Sequence, residues 1–125
     1  MYDKELAYEL ICLILDNIQT VKNRTTNIQN PNDFTSSESG MILLDSICMK
    51  LAAIGETLKK LDKATNKDLL IRYPQVNWRQ AMGMRDIIVH HYFDVDADVI
   101  FLTIKEDLPL LNNALSKIKS ALATG

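Results

Sequence analysis

The chain has 125 residues, 47% of them apolar and 24% charged, the balance of an ordinary soluble globular protein of one domain, residues 1–125. Its 14 Lys and Arg against 16 Asp and Glu give a net charge of -2, so RNA binding would require a local positive patch. The two isolated cysteines predict free thiols in a reducing compartment. The N-terminal stretch is acidic and has no long apolar run, which predicts a cytoplasmic protein without a membrane segment.

The apolar spacing predicts an all-α protein, because apolar residues recur at steps of three and four and no strand-like alternation is sustained. A first helix is predicted over 2–23, a loop over 24–37, and a second helix over roughly 36–63. Phe34 is expected to tuck the loop onto the bundle. Gly55 interrupts the second helix, which indicates that another helix or a ligand comes close to it.

The second half of the chain predicts two more helical stretches. After a connection with one short helical turn at 66–72, a third helix is predicted over Trp78–Tyr92. A last stretch covers 96–122, and Pro109 predicts a kink in it, or two helices joined near Glu106-Asp107. The predicted architecture is a four- to five-helix up-and-down bundle.

The groups able to do chemistry concentrate in 85–92, which holds both histidines, an arginine and a tyrosine. Asp86 and His90 are four apart, close enough to touch on a helix. A carboxylate beside an imidazole orients the ring and raises its pKa, which suits a general acid or base. Arg79 is predicted on the same face, with Gly83 as a gap in the side-chain wall.

Arg85 and His90 are five apart, about 140° around an unbroken helix. They therefore cannot converge on one substrate atom from one straight helix. Either the helix ends between them, or two copies of the segment meet across a dimer interface. Arg85 and Tyr92, seven apart, share a face.

The histidine pair does not predict a metal site. His90 and His91 diverge by about 100° on a helix, and no third ligand follows at a typical spacing. No metal or cofactor is therefore expected.

A histidine and a tyrosine ending an amphipathic helix are also common as interface or capping residues, so a purely structural role stays open.

The motif Arg85-x4-His90-x-Tyr92 resembles the Arg-x4-His-x-Tyr signature of HepT-like toxins in the HEPN superfamily. Four other segments resemble that family in the same order, and the resemblance extends over about 36–118. These segments are Ala53-Ile54-Gly55-Glu56, Tyr73-Pro74-x3-Trp78-Arg79, Phe93-Asp94-Val95-Asp96 and Glu106-Asp107-Leu108-Pro109-x-Leu111.

The resemblance implies a helical-bundle homodimer that cleaves RNA without a metal, the ribose 2′-OH attacking the adjacent phosphate. Carried over to this chain, His90 is the acid–base residue, and Arg85 holds the phosphate and the charge of the transition state. Asp86, Arg79 and Glu56 are the candidate supporting residues.

The resemblance also implies a partner. Family members pair with a minimal nucleotidyltransferase antitoxin, which is described as adding AMP to the motif tyrosine, here Tyr92. An added phosphate on the face of Arg85 would sit on the arginine and obstruct the cleft.

At position 86 the chain departs from the family, which commonly has asparagine after the arginine. Asp86 could orient His90 more strongly, or it could repel RNA phosphate. Together with the acidic net charge, it favours a second hypothesis. In that hypothesis the chain is a non-catalytic HEPN module that binds nucleotides or serves as an adaptor for a nucleotidyltransferase.

Overall fold

The structure, a computed structural model, describes residues 2–90 and 96–124, without the side chains of Ile87, Val89 and His90. This part of the chain contains helices and no strand, which confirms the all-α prediction. None of its helices is long and apolar enough to cross a membrane. The helices are α1 (Lys4–Arg24), α2 (Asn32–Thr35), α3 (Glu38–Ala64), α4 (Trp78–Met82), α5 (Met84–His90), α6 (Ala97–Leu102) and α7 (Leu108–Thr124).

The long helices α1, α3 and α7 form the centre of the bundle, with α1 packed against both of the others. Asp3 caps α1 by accepting a hydrogen bond from the backbone N–H of Leu6 at 3.1 Å, and Ser37 caps α3 through Gly40 N–H at 3.0 Å. Phe34, in α2, is fully buried. The predicted anchoring of this loop by Phe34 is therefore confirmed.

Helix α3 ends in an unusual backbone conformation. Asn66 and Lys67 both have positive φ, 59° and 58°, in the left-handed region that favours glycine. The backbone N–H of Lys67 donates to the carbonyl of Asp62 at 2.8 Å, which closes the last turn of the helix. The chain then makes a 3-10 turn over Leu70–Arg72, within the predicted helical turn.

The prediction of one continuous third helix is wrong, because the chain breaks at Gly83 into α4 and α5. The N–H of Gly83 donates to the carbonyls of Arg79 and Gln80, both at 3.1 Å, and thereby ends α4. Trp78 is buried at the start of α4, and its indole N–H donates to the carbonyl of Tyr73 at 2.8 Å. Trp78 is thus the anchor of this segment.

The last helical stretch is irregular just before Pro109, where the sequence predicts a kink or a junction of two helices. A π-helical turn over Thr103–Asp107 joins α6 to α7, and Pro109 is the second residue of α7. Proline has no N–H to donate and its ring clashes with the preceding turn. A widened turn just before it accommodates both effects without ending the helix.

Candidate active site

The candidate active site begins where α3 meets the junction of α4 and α5. Gly55, in the middle of α3, is buried against this junction. A Cβ on Gly55 would lie 3.1 Å from the backbone N of Arg85 and 3.3 Å from the carbonyl oxygens of Ala81 and Met82. The predicted close approach is therefore that of another helix, and it sets the position of the Arg85 backbone.

The Arg85 side chain lies between two carboxylates. Its Nε is 3.5 Å from Oε2 of Glu56, and its Nη1 donates to Oδ1 of Asp86 at 3.3 Å. The Arg85 side chain remains 47% exposed. Glu56 directly follows Gly55, so one turn of α3 positions both the backbone and the side chain of Arg85.

Asp86 is paired with a lysine that the sequence analysis did not single out. Nζ of Lys59 donates to Oδ2 of Asp86 at 3.3 Å. This hydrogen bond and the charge of Lys59, followed by those of Arg85, hold the pKa of the Asp86 carboxyl below its ordinary value of 3.8. Lys59 is four residues after Gly55, the spacing that puts two residues on one helix face. That spacing was the signal by which Lys59 could have been found.

Together, Glu56, Lys59, Arg85 and Asp86 form a surface cluster of two cations and two anions. All four side chains are between 39% and 48% exposed. Water screens ion pairs at such positions, so they are weak compared with buried ones. A phosphate can therefore compete with the two carboxylates for Arg85 without disrupting the fold.

The other predicted site residues have different outcomes. Arg79 is exposed on α4, and the described contacts do not join it to the charged cluster. Because the helix is broken at Gly83, the predicted alignment of Arg79 with Asp86 on one unbroken helix is wrong. His90 ends α5, but its side chain and all of Tyr92 lie outside the described residues. Contact between Asp86 and His90 therefore stays a prediction.

Helix α5 runs without interruption from Met84 to His90. The helix therefore does not end between Arg85 and His90, which removes one of the two ways of bringing them together. On a continuous helix the two positions still lie about 140° apart. One copy of α5 therefore does not place these two positions on the same face.

An apolar groove of about 330 Å³ lies on another side of α5, between α4–α5 and α6–α7. Met84 and Ile88 line it from α5, and Val99 and Leu110 line it from the facing helices. Val99 and Leu110 are half exposed. The charged cluster does not line this groove, and Arg85 lies on the exposed surface.

The fold and the site together define a class of protein. It is an all-α protein in which one helix carries an arginine and, five positions later, a histidine. Over residues 14–118 the chain matches the family model described as ribonuclease HepT-like. The chain therefore belongs to the HepT-like family, as the Arg85-x4-His90-x-Tyr92 motif predicted.

Several curated proteins are similar to this chain. A "Gamma-glutamylcyclotransferase and putative RNase" of Methanocaldococcus jannaschii is 28% identical over 87% of this chain and 46% of its own length. A "Probable ribonuclease HepT" of Thermococcus cleftensis is 34% identical over 59% of this chain and 64% of its own. The chain thus spans less than two thirds of these two relatives. A "Putative RNase" of M. jannaschii is 29% identical over 84% of this chain and 80% of its own length. No solved structure matches the chain significantly.

Proposed function

We propose that this protein is a metal-independent endoribonuclease, the toxin of a toxin–antitoxin pair, and that residues 1–125 form a single HEPN-like domain acting in the cytoplasm. The observation that carries the proposal is the position of Arg85 at the start of α5, which continues unbroken to His90, in a chain that matches the HepT-like family over residues 14–118. The names of the similar proteins, which include "ribonuclease" or "RNase", support the same substrate class.

In the proposed reaction the ribose 2′-OH attacks the adjacent phosphorus, the P–O2′ bond forms, and the P–O5′ bond breaks. The products carry a 2′,3′-cyclic phosphate and a 5′-hydroxyl. His90 takes the proton from the 2′-OH, and the leaving 5′ oxygen receives a proton from the same imidazole or from His90 of the partner subunit, so that no net proton is gained or lost. Arg85 binds the phosphate and stabilises the charge that builds up on its oxygens. Asp86 and Glu56 support Arg85 from the two sides described above.

The active form is proposed to be a homodimer. Positions 85 and 90 lie about 140° apart around α5, so one subunit offers only half of the required set. A second copy of α5 facing the first supplies His90 to the partner's Arg85 and concentrates positive charge in an acidic protein. Val99 and Leu110, the half-exposed residues that line the apolar groove, are surface that association of two subunits would cover.

A nucleotidyltransferase antitoxin is the proposed partner, acting by transfer of AMP to Tyr92. The tyrosine oxygen attacks the α-phosphorus of ATP and pyrophosphate leaves. Tyr92 is seven residues after Arg85, so on a helix the added phosphate would face the guanidinium and occupy it. An intact mass measured with the transferase and ATP should increase by one AMP in the wild type and stay unchanged in Tyr92→Phe.

Cleavage of RNA in EDTA by purified protein tests the catalytic proposal. We expect the wild type to leave cyclic phosphate ends, and His90→Ala and Arg85→Ala to lose activity by about 100-fold or more. His91→Ala is the matched control for the histidine. Arg72→Ala is the control for the arginine, because Arg72 is also exposed and paired with a carboxylate, Asp68 at 2.8 Å. Equal activity of all five proteins, or loss of wild-type activity in EDTA, would contradict the proposal.

A non-catalytic nucleotide-binding or adaptor role is the second candidate function. The two carboxylates beside Arg85 favour it, because they offset the charge that an RNA phosphate would meet. Co-purification with the nucleotidyltransferase, together with no RNA cleavage at any tested pH, would support this role and contradict the first.

A further inference from the structure

We propose that Lys59 is the positioning residue that makes an aspartate compatible with phosphate binding at this site, by neutralising Asp86 so that Arg85 stays available to RNA. This inference rests on the proposed function and adds a residue to it. It starts from a conflict within the cluster, since Asp86 stands directly beside the arginine that has to bind an anion.

The contacts show how the charge of Asp86 is divided. Oδ1 accepts from Nη1 of Arg85 and Oδ2 accepts from Nζ of Lys59, both at 3.3 Å. Lys59 therefore balances Asp86 from the side away from Arg85. Glu56 approaches Arg85 through Nε, at 3.5 Å. Among the described residues Nη2 of Arg85 has no acceptor, which leaves one corner of the guanidinium for a phosphate oxygen.

Removal of Lys59 would take one positive charge out of the cluster and leave its other three charged side chains in place. The cluster would carry two carboxylates against a single guanidinium, and Asp86 would have Arg85 as its remaining described cation. An RNA phosphate would then meet a net negative site and a more tightly paired arginine. Lys59 is held by α3, the same helix that sets the Arg85 backbone through Gly55, so its position is fixed relative to the site.

Two roles for Lys59 predict different behaviour. If Lys59 acts through Asp86, neutralising Asp86 makes Lys59 unnecessary. If Lys59 binds RNA phosphate directly, its loss weakens RNA binding whether or not residue 86 is charged. A double-mutant cycle between positions 59 and 86 separates these two roles.

The experiment measures the Kd of a 2′-O-methyl RNA oligonucleotide, which blocks the attacking hydroxyl, by fluorescence anisotropy over a range of salt concentrations. We expect Lys59→Gln to weaken binding about threefold, the effect of the uncompensated Asp86 charge roughly 6 Å from a phosphate in a largely aqueous medium. In the Asp86→Asn background Lys59→Gln should have no further effect, so the double variant should bind as tightly as Asp86→Asn alone. Lys59→Arg should retain wild-type affinity. Lys60→Gln is the matched control, because Lys60 is an exposed lysine adjacent to Lys59 and has no ion pair among the described residues.

Three results would overturn the inference. The first is a Lys59→Gln change that weakens binding as much in the Asp86→Asn background as in the wild type, and the second is a Lys59→Gln variant no weaker than Lys60→Gln. The third is a wild type that does not bind the oligonucleotide, which would contradict the proposed function as well. By contrast, a wild type that binds RNA without cleaving it contradicts the ribonuclease proposal only, since the binding cycle still decides the role of Lys59.

Discussion

Replacement of Gly55 by alanine should destabilise the protein, although the same change in an open part of a helix would stabilise it. An added Cβ would lie 3.1 Å from the backbone N of Arg85 and 3.3 Å from the carbonyls of Ala81 and Met82, inside the 3.4 Å at which ordinary contact begins. All three neighbours are backbone atoms, so relief requires movement of the junction between α4 and α5. The clash cannot be relieved by rotation of a side chain.

The magnitude follows from two opposed effects. Overpacking of this kind costs about 2 kcal/mol, and the better helix propensity of alanine offsets about 1 kcal/mol of that cost. We expect the free energy of unfolding to fall by about 1 kcal/mol, which corresponds to a decrease in Tm of about 4 °C for a chain of this size.

Urea denaturation followed by circular dichroism measures this change, and two variants calibrate it. A Cβ on Gly83 would meet only ordinary contacts, at 3.4 Å, and Gly83 has a φ of -78°. Gly83→Ala should therefore be neutral or stabilising by up to about 1 kcal/mol. Ala53→Gly, at an exposed position of α3, measures the propensity effect itself, a loss of about 1 kcal/mol. If Gly55→Ala proved as stabilising as Gly83→Ala, the tight contact with α5 would be refuted.

Three further predictions concern the end of α3 and two titrating groups. Lys67→Gly should raise the free energy of unfolding by about 1 kcal/mol, because glycine adopts the left-handed φ of 58° without a Cβ penalty; unchanged or lower stability in urea would contradict this. Burial and, secondarily, Asp45 raise the pKa of the Cys48 thiol from 9.0 to about 11. Its contribution to stability should be complete below pH 9 and decrease as the pH rises towards 11, and a Cys48→Ala variant should show a smaller alkaline decrease in Tm. The Asp86 carboxyl, whose pKa is lowered chiefly by Lys59, contributes stability above pH 3.8 that is lost on acidification. Its midpoint in a carbon NMR titration should lie below 3.8 in the wild type and higher in Lys59→Met; the same midpoint in both proteins would contradict the pairing.

Much of the fold could be predicted from the sequence, because apolar residues at helical spacing have few ways to be buried. The all-α class, the anchoring role of Phe34 and the irregular turn before Pro109 follow from local chemistry. The break at Gly83 did not follow, since a glycine inside a helical pattern is tolerated in many helices. Its effect here depends on α3 lying against the junction, a contact between residues about 30 positions apart that no local pattern contains.

The same division applies to the candidate site. The sequence alone determined the HepT-like motif and the candidates Arg85 and His90. It also showed that one straight helix cannot bring these two side chains onto the same substrate atom. These results depend only on residue types and helical spacing. Only the tertiary structure decided that Glu56 and Asp86 hold Arg85 between them, that Lys59 is the partner of Asp86, and that Arg79 stands apart. Charged side chains of similar spacing are common on helix surfaces, and which of them meet depends on how closely two helices pack. In this protein that distance is set by the missing side chain of Gly55.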